Sequence, residues 1–418
     1  MIMTRSRSKD KVKLNIFAIF IYATLIVDFY RKFVGNVAYL PISVTAFRNL
    51  IYVSVFLALL FYEKRKMYQS KLVLIGIAFC AFSIFSLLIN WERNATELYI
   101  DLMFMFISRL LPAYYIGTMI VGNEEKIVDS INRLQWLTLL YELMILIYPE
   151  VSATSYLTIS ANLIIPSLVG TFAESKGLKG IAQKSIGIIG LGVIVVFGGR
   201  TSVVAVVLAI GLILFIKFKN NNSKKKIVAL FGVLSAVIFL AFSSESILDY
   251  LVLHNPESRT LHLILSGRFF WSSNRDLYYN AAVSSFTHHP FKIYGFLGDR
   301  FYYADYFSRS KDNSVIVTMF SHNAIIEIMM NFGIFIGILI NLYLIYKFTA
   351  SVKFLIRRND QTAWMLHLII FSSAFVALFI SSSWLNDYTV WLMCGAALKM
   401  ASQSNRLVFR GGGTNVDF

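Results

Sequence analysis

Charge and cysteine are what this chain has least of. Only 15% of its 418 residues are Asp, Glu, Lys or Arg, against about a quarter in ordinary soluble proteins. With a mean hydropathy of +0.65, that scarcity excludes a soluble domain. Cys80 and Cys394 both lie inside apolar runs, which excludes a disulfide framework and a cysteine metal cluster. Catalytic signatures are equally scarce. No HExxH, GxSxG or Walker A sequence occurs, so protease, hydrolase and ATPase readings lack support. The acidic residues of the most polar stretch (Glu245, Asp249, Glu257, Asp276, Asp299, Asp305 and Asp312) form no DxD or ExD pair. No metal site and no cofactor are therefore expected.

What the chain has instead is apolar runs near 20 residues long, the length of a membrane-crossing helix. They fall at about 14–30, 42–62, 72–90, 99–121, 132–149, 185–199, 201–216, 227–243, 323–346, 362–381 and 385–401. Basic residues gather at the N-terminus, at Lys64-Arg65-Lys66, from Lys217 to Lys226, from Lys347 to Arg358, and at Arg406 and Arg410. Holding all of these on the cytoplasmic side requires one more crossing between Tyr148 and Lys176. The weakly apolar Val151–Phe172, with Pro166 inside it, is the only segment available. Parity therefore assigns it a crossing.

The expected fold is an all-α integral membrane protein of about twelve transmembrane helices with one large outward-facing loop. Residues 1–243 would hold the first nine helices and 244–321 the extracytoplasmic loop with active-site residues. Residues 322–402 would hold the last three, and 403–418 a cytoplasmic tail with a disordered Gly411-Gly412-Gly413. Both termini are expected inside a bacterial cytoplasmic membrane. The first span follows the basic stretch Met1–Lys13 and is read as uncleaved, because Asp28, Tyr30, Arg31 and Lys32 offer no small-residue cleavage site. The net charge of +16 is explained by these basic loops, so no nucleic-acid partner is expected. The lipid bilayer is.

Chemistry concentrates in the polar stretch. Five of the six histidines fall between His254 and His322. His322 stands where the loop re-enters an apolar run, next to Asn323 and ahead of Glu327 and Gly333. A lone histidine there usually caps or packs. A neutral imidazole at a water–lipid boundary can also take a proton from a hydroxyl, and Asn323 can orient that ring or a sugar. Arg200, in Gly198-Gly199-Arg200-Thr201-Ser202, sits between two apolar runs with almost no polar loop around it. It is read either as a snorkelling cation or as a planar fork for a phosphate. Arg268 follows Ser266-Gly267 and precedes Trp271, and Arg259, Arg275 and Arg300 share the loop. Arg48, Arg109 and Glu142 lie inside spans, where ionisable groups are functional candidates by default; Arg109 and Glu142 could instead pair with each other. Tyr278, Tyr279, Tyr294, Tyr302, Tyr303 and Tyr306 make the loop aromatic, suited to stacking on sugar rings or to packing at the interface.

These elements resemble the bacterial O-antigen ligase/polymerase family of integral membrane glycosyltransferases. The resemblance rests on Gly199-Arg200-Thr201-Ser202 opening a span and on Ser266-Gly267-Arg268 with Trp271. It continues in His289-Pro290 with Gly295 and Gly298, and in His322-Asn323 with Gly333 and Gly337. It covers about residues 165–345. One departure is visible at Gly170-Thr171-Phe172, which is followed by Glu174-Ser175-Lys176 where the family often shows an asparagine. The resemblance implies a metal-independent, inverting transfer of a glycan from an undecaprenyl diphosphate carrier at the outer membrane face. His322 would be the base, and Arg200 and Arg268 would hold the diphosphate. Asn323, Arg275, Arg300 and Arg109 remain further substrate-binding candidates.

The leading expectation is a polysaccharide polymerase joining undecaprenyl-diphosphate-linked oligosaccharides for a capsule, O antigen or exopolysaccharide. A chain-length regulator or flippase of the same pathway would be its partner. A ligase that moves the glycan to another acceptor is the nearest alternative. A flippase for the same lipid-linked sugars is the alternative from another class, but it has no need of a long outer loop ending in His-Asn.

Overall fold

The computed structural model describes residues 15–30, 44–69, 72–93, 95–147, 156–174, 177–197, 199–219, 262, 266, 275–307, 319–358 and 360–411. Helix is the only regular structure among them, as expected where lipid offers backbone groups no other partner. In chain order the helices are α1 (Asn15–Tyr30), α2 (Val44–Gln69), α3 (Leu72–Ile89) and α4 (Thr96–Ile120). Next come α5 (Glu124–Arg133), α6 (Gln135–Ile147), α7 (Tyr156–Phe172), α8 (Gly177–Phe197) and α9 (Arg200–Lys219). The remainder are α10 (Arg275–His288), α11 (Gly298–Tyr306), α12 (Ala324–Phe332), α13 (Ile334–Arg358), α14 (Gln361–Val376) and α15 (Tyr388–Gly411). Five described helices are long and apolar enough to cross a membrane: α3, α4, α8, α13 and α14 with its extension to Phe379. The expected span 227–243 lies outside the described residues.

The chain divides into two compact units. The first is built from residues 1–58, 122–271 and 360–376. Here α5 is amphipathic, burying Glu124, Ile127, Val128 and Ile131. The chain breaks at Leu134, so the span expected from 132 begins instead at Gln135; Asp129 and Arg133 keep the preceding turn polar. The segment that parity required, Val151–Phe172, is helical from Tyr156. Pro166 is accommodated within it, and its carbonyl accepts a hydrogen bond from Gln135 Nε2 at 2.8 Å. Small residues let α7 and α8 approach closely: a Cβ on Gly187 would lie 2.6 Å from the Ser167 carbonyl oxygen. Glu142 is buried against the same contact, beside Ser167 and Gly190. His367 Nε2 on α14 lies 3.2 Å from Glu124 Oε1 on α5, both buried.

The second unit comprises residues 59–121, 272–359 and 377–418. α4 widens into a π turn at Phe106–Leu110 just before Pro112. A proline ring meets the carbonyl four residues earlier, and a wider turn relieves that clash. α4 and α15 touch backbone to backbone: a Cβ on Gly117 would overlap the Leu392 carbonyl, and one on Gly395 would overlap that of Tyr114. Two expectations are corrected here. The run 323–346 is not one span but two helices, α12 and α13, broken at Gly333, whose φ of 80° favours glycine. α13 then continues through Lys347, Lys353, Arg357 and Arg358, so these basic residues extend a helix and do not form a loop. α15 itself runs to Gly411, through the first part of the segment expected as a tail.

Candidate active site

The second unit gathers its buried polar groups around a strap at Ile293–Leu297. Its three central residues are fixed. The Tyr294 and Gly295 amides donate to the carbonyls of Met330 and Asn331, at 3.2 and 3.0 Å, and so satisfy the open C-terminal end of α12. Asn90 Nδ2 donates to the Tyr294 carbonyl at 3.0 Å. The Phe296 amide donates to Ser86 Oγ at 2.8 Å, and Tyr99 donates to the Phe296 carbonyl at 2.6 Å. Gly295 has φ 75°, and a Cβ there would sit 2.6 Å from Ser86 Oγ, so glycine is required twice over.

The strap delivers Asp299 and Arg300, in the first turn of α11, into the interior. Arg300 is 1% exposed and Asp299 is 0% exposed. Two long-range partners receive the guanidinium. Arg300 Nη2 donates to Ser383 Oγ at 3.2 Å and lies 3.9 Å from Glu327 Oε1. Glu327 on α12 accepts from Ser383 Oγ and from the Trp384 amide, the latter at 3.3 Å. A charge this deep demands such partners, because an unpaired one costs several kcal/mol. Burial lifts the Asp299 carboxyl above the usual carboxylate range, and Arg300 partly offsets that.

His322 lies next to this cluster and is half-buried. Its backbone has φ 53°, the left-handed region that a non-glycine residue seldom occupies. Asn323 follows as the N-cap of α12: its Oδ1 accepts from the Ile325 and Ile326 amides, at 3.0 and 3.4 Å. Ser321 Oγ donates to the Asn323 carbonyl at 2.9 Å. Phe320 and His322 rings are 4.2 Å apart between centroids, and Tyr278 stands edge-on to the imidazole at 6.1 Å. Phe320 in turn carries Arg300 over its face, with Cζ 5.4 Å from the ring centre. Tyr278 also packs on Tyr303 and Phe307, so the aromatic loop is a wall of mutually packed rings beside the histidine.

The structure therefore brings together His322, Asn323 and Arg300 from the sequence candidates. Arg275 opens α10, where its side chain is half-buried. Arg109 sits in the π turn of α4 with its guanidinium 5.2 Å from the Tyr388 ring centre, a cation–π seat for a membrane-embedded charge. Arg200 begins α9 in the first unit, and the Ser202 amide donates to the Gly199 carbonyl at 2.9 Å. Arg268, Trp271 and His254 lie outside the described residues. Sequence reasoning missed Asp299 and Ser383 as site components. The signal for the second was a polar interruption, Ser381-Ser382-Ser383, between two apolar runs.

A half-buried imidazole thus lies beside a buried ion cluster, in a chain whose apolar helices are long enough to cross lipid. Residues 186–341 match the family model of the O-antigen ligase, and that segment holds the strap, α11, His322 and Asn323. Over this segment the chain is thus similar to the O-antigen ligase family, and its apolar helices are those of a membrane protein. Comparison with curated proteins gives no match.

Proposed function

We propose that this protein is a polysaccharide polymerase of the bacterial cytoplasmic membrane, with both termini inside. It would join undecaprenyl-diphosphate-linked oligosaccharides at the outer face. His322 takes the proton of an acceptor sugar hydroxyl while that oxygen attacks the anomeric carbon from the side opposite the carrier. The bond from the anomeric carbon to the phosphate oxygen breaks, and the configuration inverts. Undecaprenyl diphosphate departs with its charge balanced by Arg200 and Arg268, so no acid catalyst and no metal are demanded. The proton then passes from the imidazole to water.

The observation that carries this reading is the left-handed His322. A non-glycine residue in that region stores roughly 1–3 kcal/mol of strain, and such outliers cluster at functional sites. The imidazole at this position packs against Phe320 and stands edge-on to Tyr278. General-base help is worth about a hundred- to ten-thousand-fold in rate. His322→Ala, purified in detergent with a defined lipid-linked donor and EDTA, should bind donor yet form product slower by that factor. His254→Ala and His288→Ala should do much less. A fully active His322→Ala protein, or loss of all wild-type activity on chelation, would refute the mechanism. The description of the matched family supports a ligase as the second reading. The same assay separates the two: a ladder of products marks a polymerase, and a single transfer to a different acceptor marks a ligase.

A further inference from the structure

We infer that Arg300 is a positioning residue for His322, acting through Phe320, and not a ligand of the diphosphate. This rests on the reading of His322 as the base. A phosphate ligand must present its fork to the substrate. Arg300 is turned inward: the side chain is 1% exposed, with Nη2 directed at Ser383 and Glu327. Toward the site the guanidinium stands over the Phe320 ring, its Cζ 5.4 Å from the ring centre. The other side of the relay is Phe320 against the imidazole, at 4.2 Å. Glu327 belongs to α12, whose first turn Asn323 caps. The ion pair therefore ties the loop helix α11 to the helix that follows His322. Among the described residues, the charged and titratable groups facing this relay include Asp299, Glu327, Tyr303 and Tyr99 around Arg300, and Tyr278 at the imidazole. The cation keeps Phe320 against His322 by cation–π attraction, which strengthens when desolvated.

The test is a set of variants in the full-length detergent-purified protein, read in two ways. With a lipid-linked donor, Arg300→Met should lower kcat about tenfold to a hundredfold, the range for a misplaced catalytic group, with KM within about twofold. Arg300→Lys keeps the cation over Phe320 and should recover most of that loss. Phe320→Leu should reproduce the loss, and adding Arg300→Met to it should cost little more. A KM that rises while kcat holds would overturn the inference and return Arg300 to substrate binding. Independently of activity, NMR of histidine-labelled protein reads the ring-current shift that Phe320 imposes on the His322 imidazole; His322→Ala supplies the assignment. That shift should collapse in Arg300→Met and Phe320→Leu and persist in Arg300→Lys. An unchanged shift in Arg300→Met overturns the positioning role even if the protein proves not to be a glycosyltransferase. If His322→Ala is fully active while the shift behaves as expected, the catalytic reading fails and the relay stands. Arg300→Met leaves Glu327 unpaired and can fail to fold. Arg300→Met combined with Glu327→Gln removes that charge and is held to the same two readouts.

Discussion

Asn323 separates two roles by a single atom. Its Oδ1 accepts from the Ile325 and Ile326 amides, whereas a sugar-orienting role would also use the Nδ2 donor. Removing such a cap costs about 1 kcal/mol, within a range of roughly 0.5–2. That is about a fivefold rise in the population with an open first turn. α12 is only nine residues long, so the opened turn is the one adjoining His322. Asn323→Ala should therefore raise hydrogen–deuterium exchange at 325–326 about fivefold and slow product formation several-fold. Asn323→Asp keeps the acceptor and adds negative charge at a helix N-terminus, which is favourable. It should restore both exchange protection and most of the rate, measured as peptide exchange and initial rate on the same preparations. If Asn323→Asp is as slow as Asn323→Ala while its exchange matches wild type, the carboxamide N–H contacts substrate and the capping argument for activity is wrong.

Two further expectations concern the carrier and the topology. Arg200→Lys and Arg268→Lys keep charge but lose the bidentate fork, so each should weaken donor affinity about ten- to a hundred-fold; normal polymer from both at normal protein level would rule out a diphosphate grip. A cysteine placed at Lys179 should be shielded from an impermeant thiol reagent in intact cells, while one at Ser310 should label. Equal labelling at the two positions would sink the twelve-span arrangement.

The helices were legible wherever lipid imposes a single solution. Leu72–Ile89 follows from hydropathy alone, whereas Gly177–Phe197 starts ahead of the expected 185–199 because Lys179 and Lys184 lower the hydropathy of its first turns. The parity of basic loops pointed to the segment in which the Tyr156–Phe172 helix forms. The break at Gly333 was not legible, because hydropathy sums over a run and is blind to one residue of positive φ. His322, Asn323 and Glu327 could be picked out as polar residues at the edge of an apolar run. Their division of labour could not. Glu327 works through Ser383, 56 positions away, and Arg300 reaches that same serine across 83 positions. Spacing along one sequence says nothing of such pairings, and a cation in a polar loop reads the same whether it faces solvent or a buried carboxylate. Arg300 looked like a companion of Arg275 for that reason.

The backbone contact between α4 and α15, at Gly117 and Gly395, bears on how the protein is made. α4 leaves the ribosome long before α15, so a face flattened by glycine waits for its partner while the helices between them are made. Ser383 and Trp384, which complete the partner set of Glu327 and Arg300, arrive only just before α15. Until then the ion pair has no completed setting. Assembly of this unit therefore waits for the segment that brings Ser383, and a nascent chain halted before it would carry Arg300 and Glu327 without the serine that joins them.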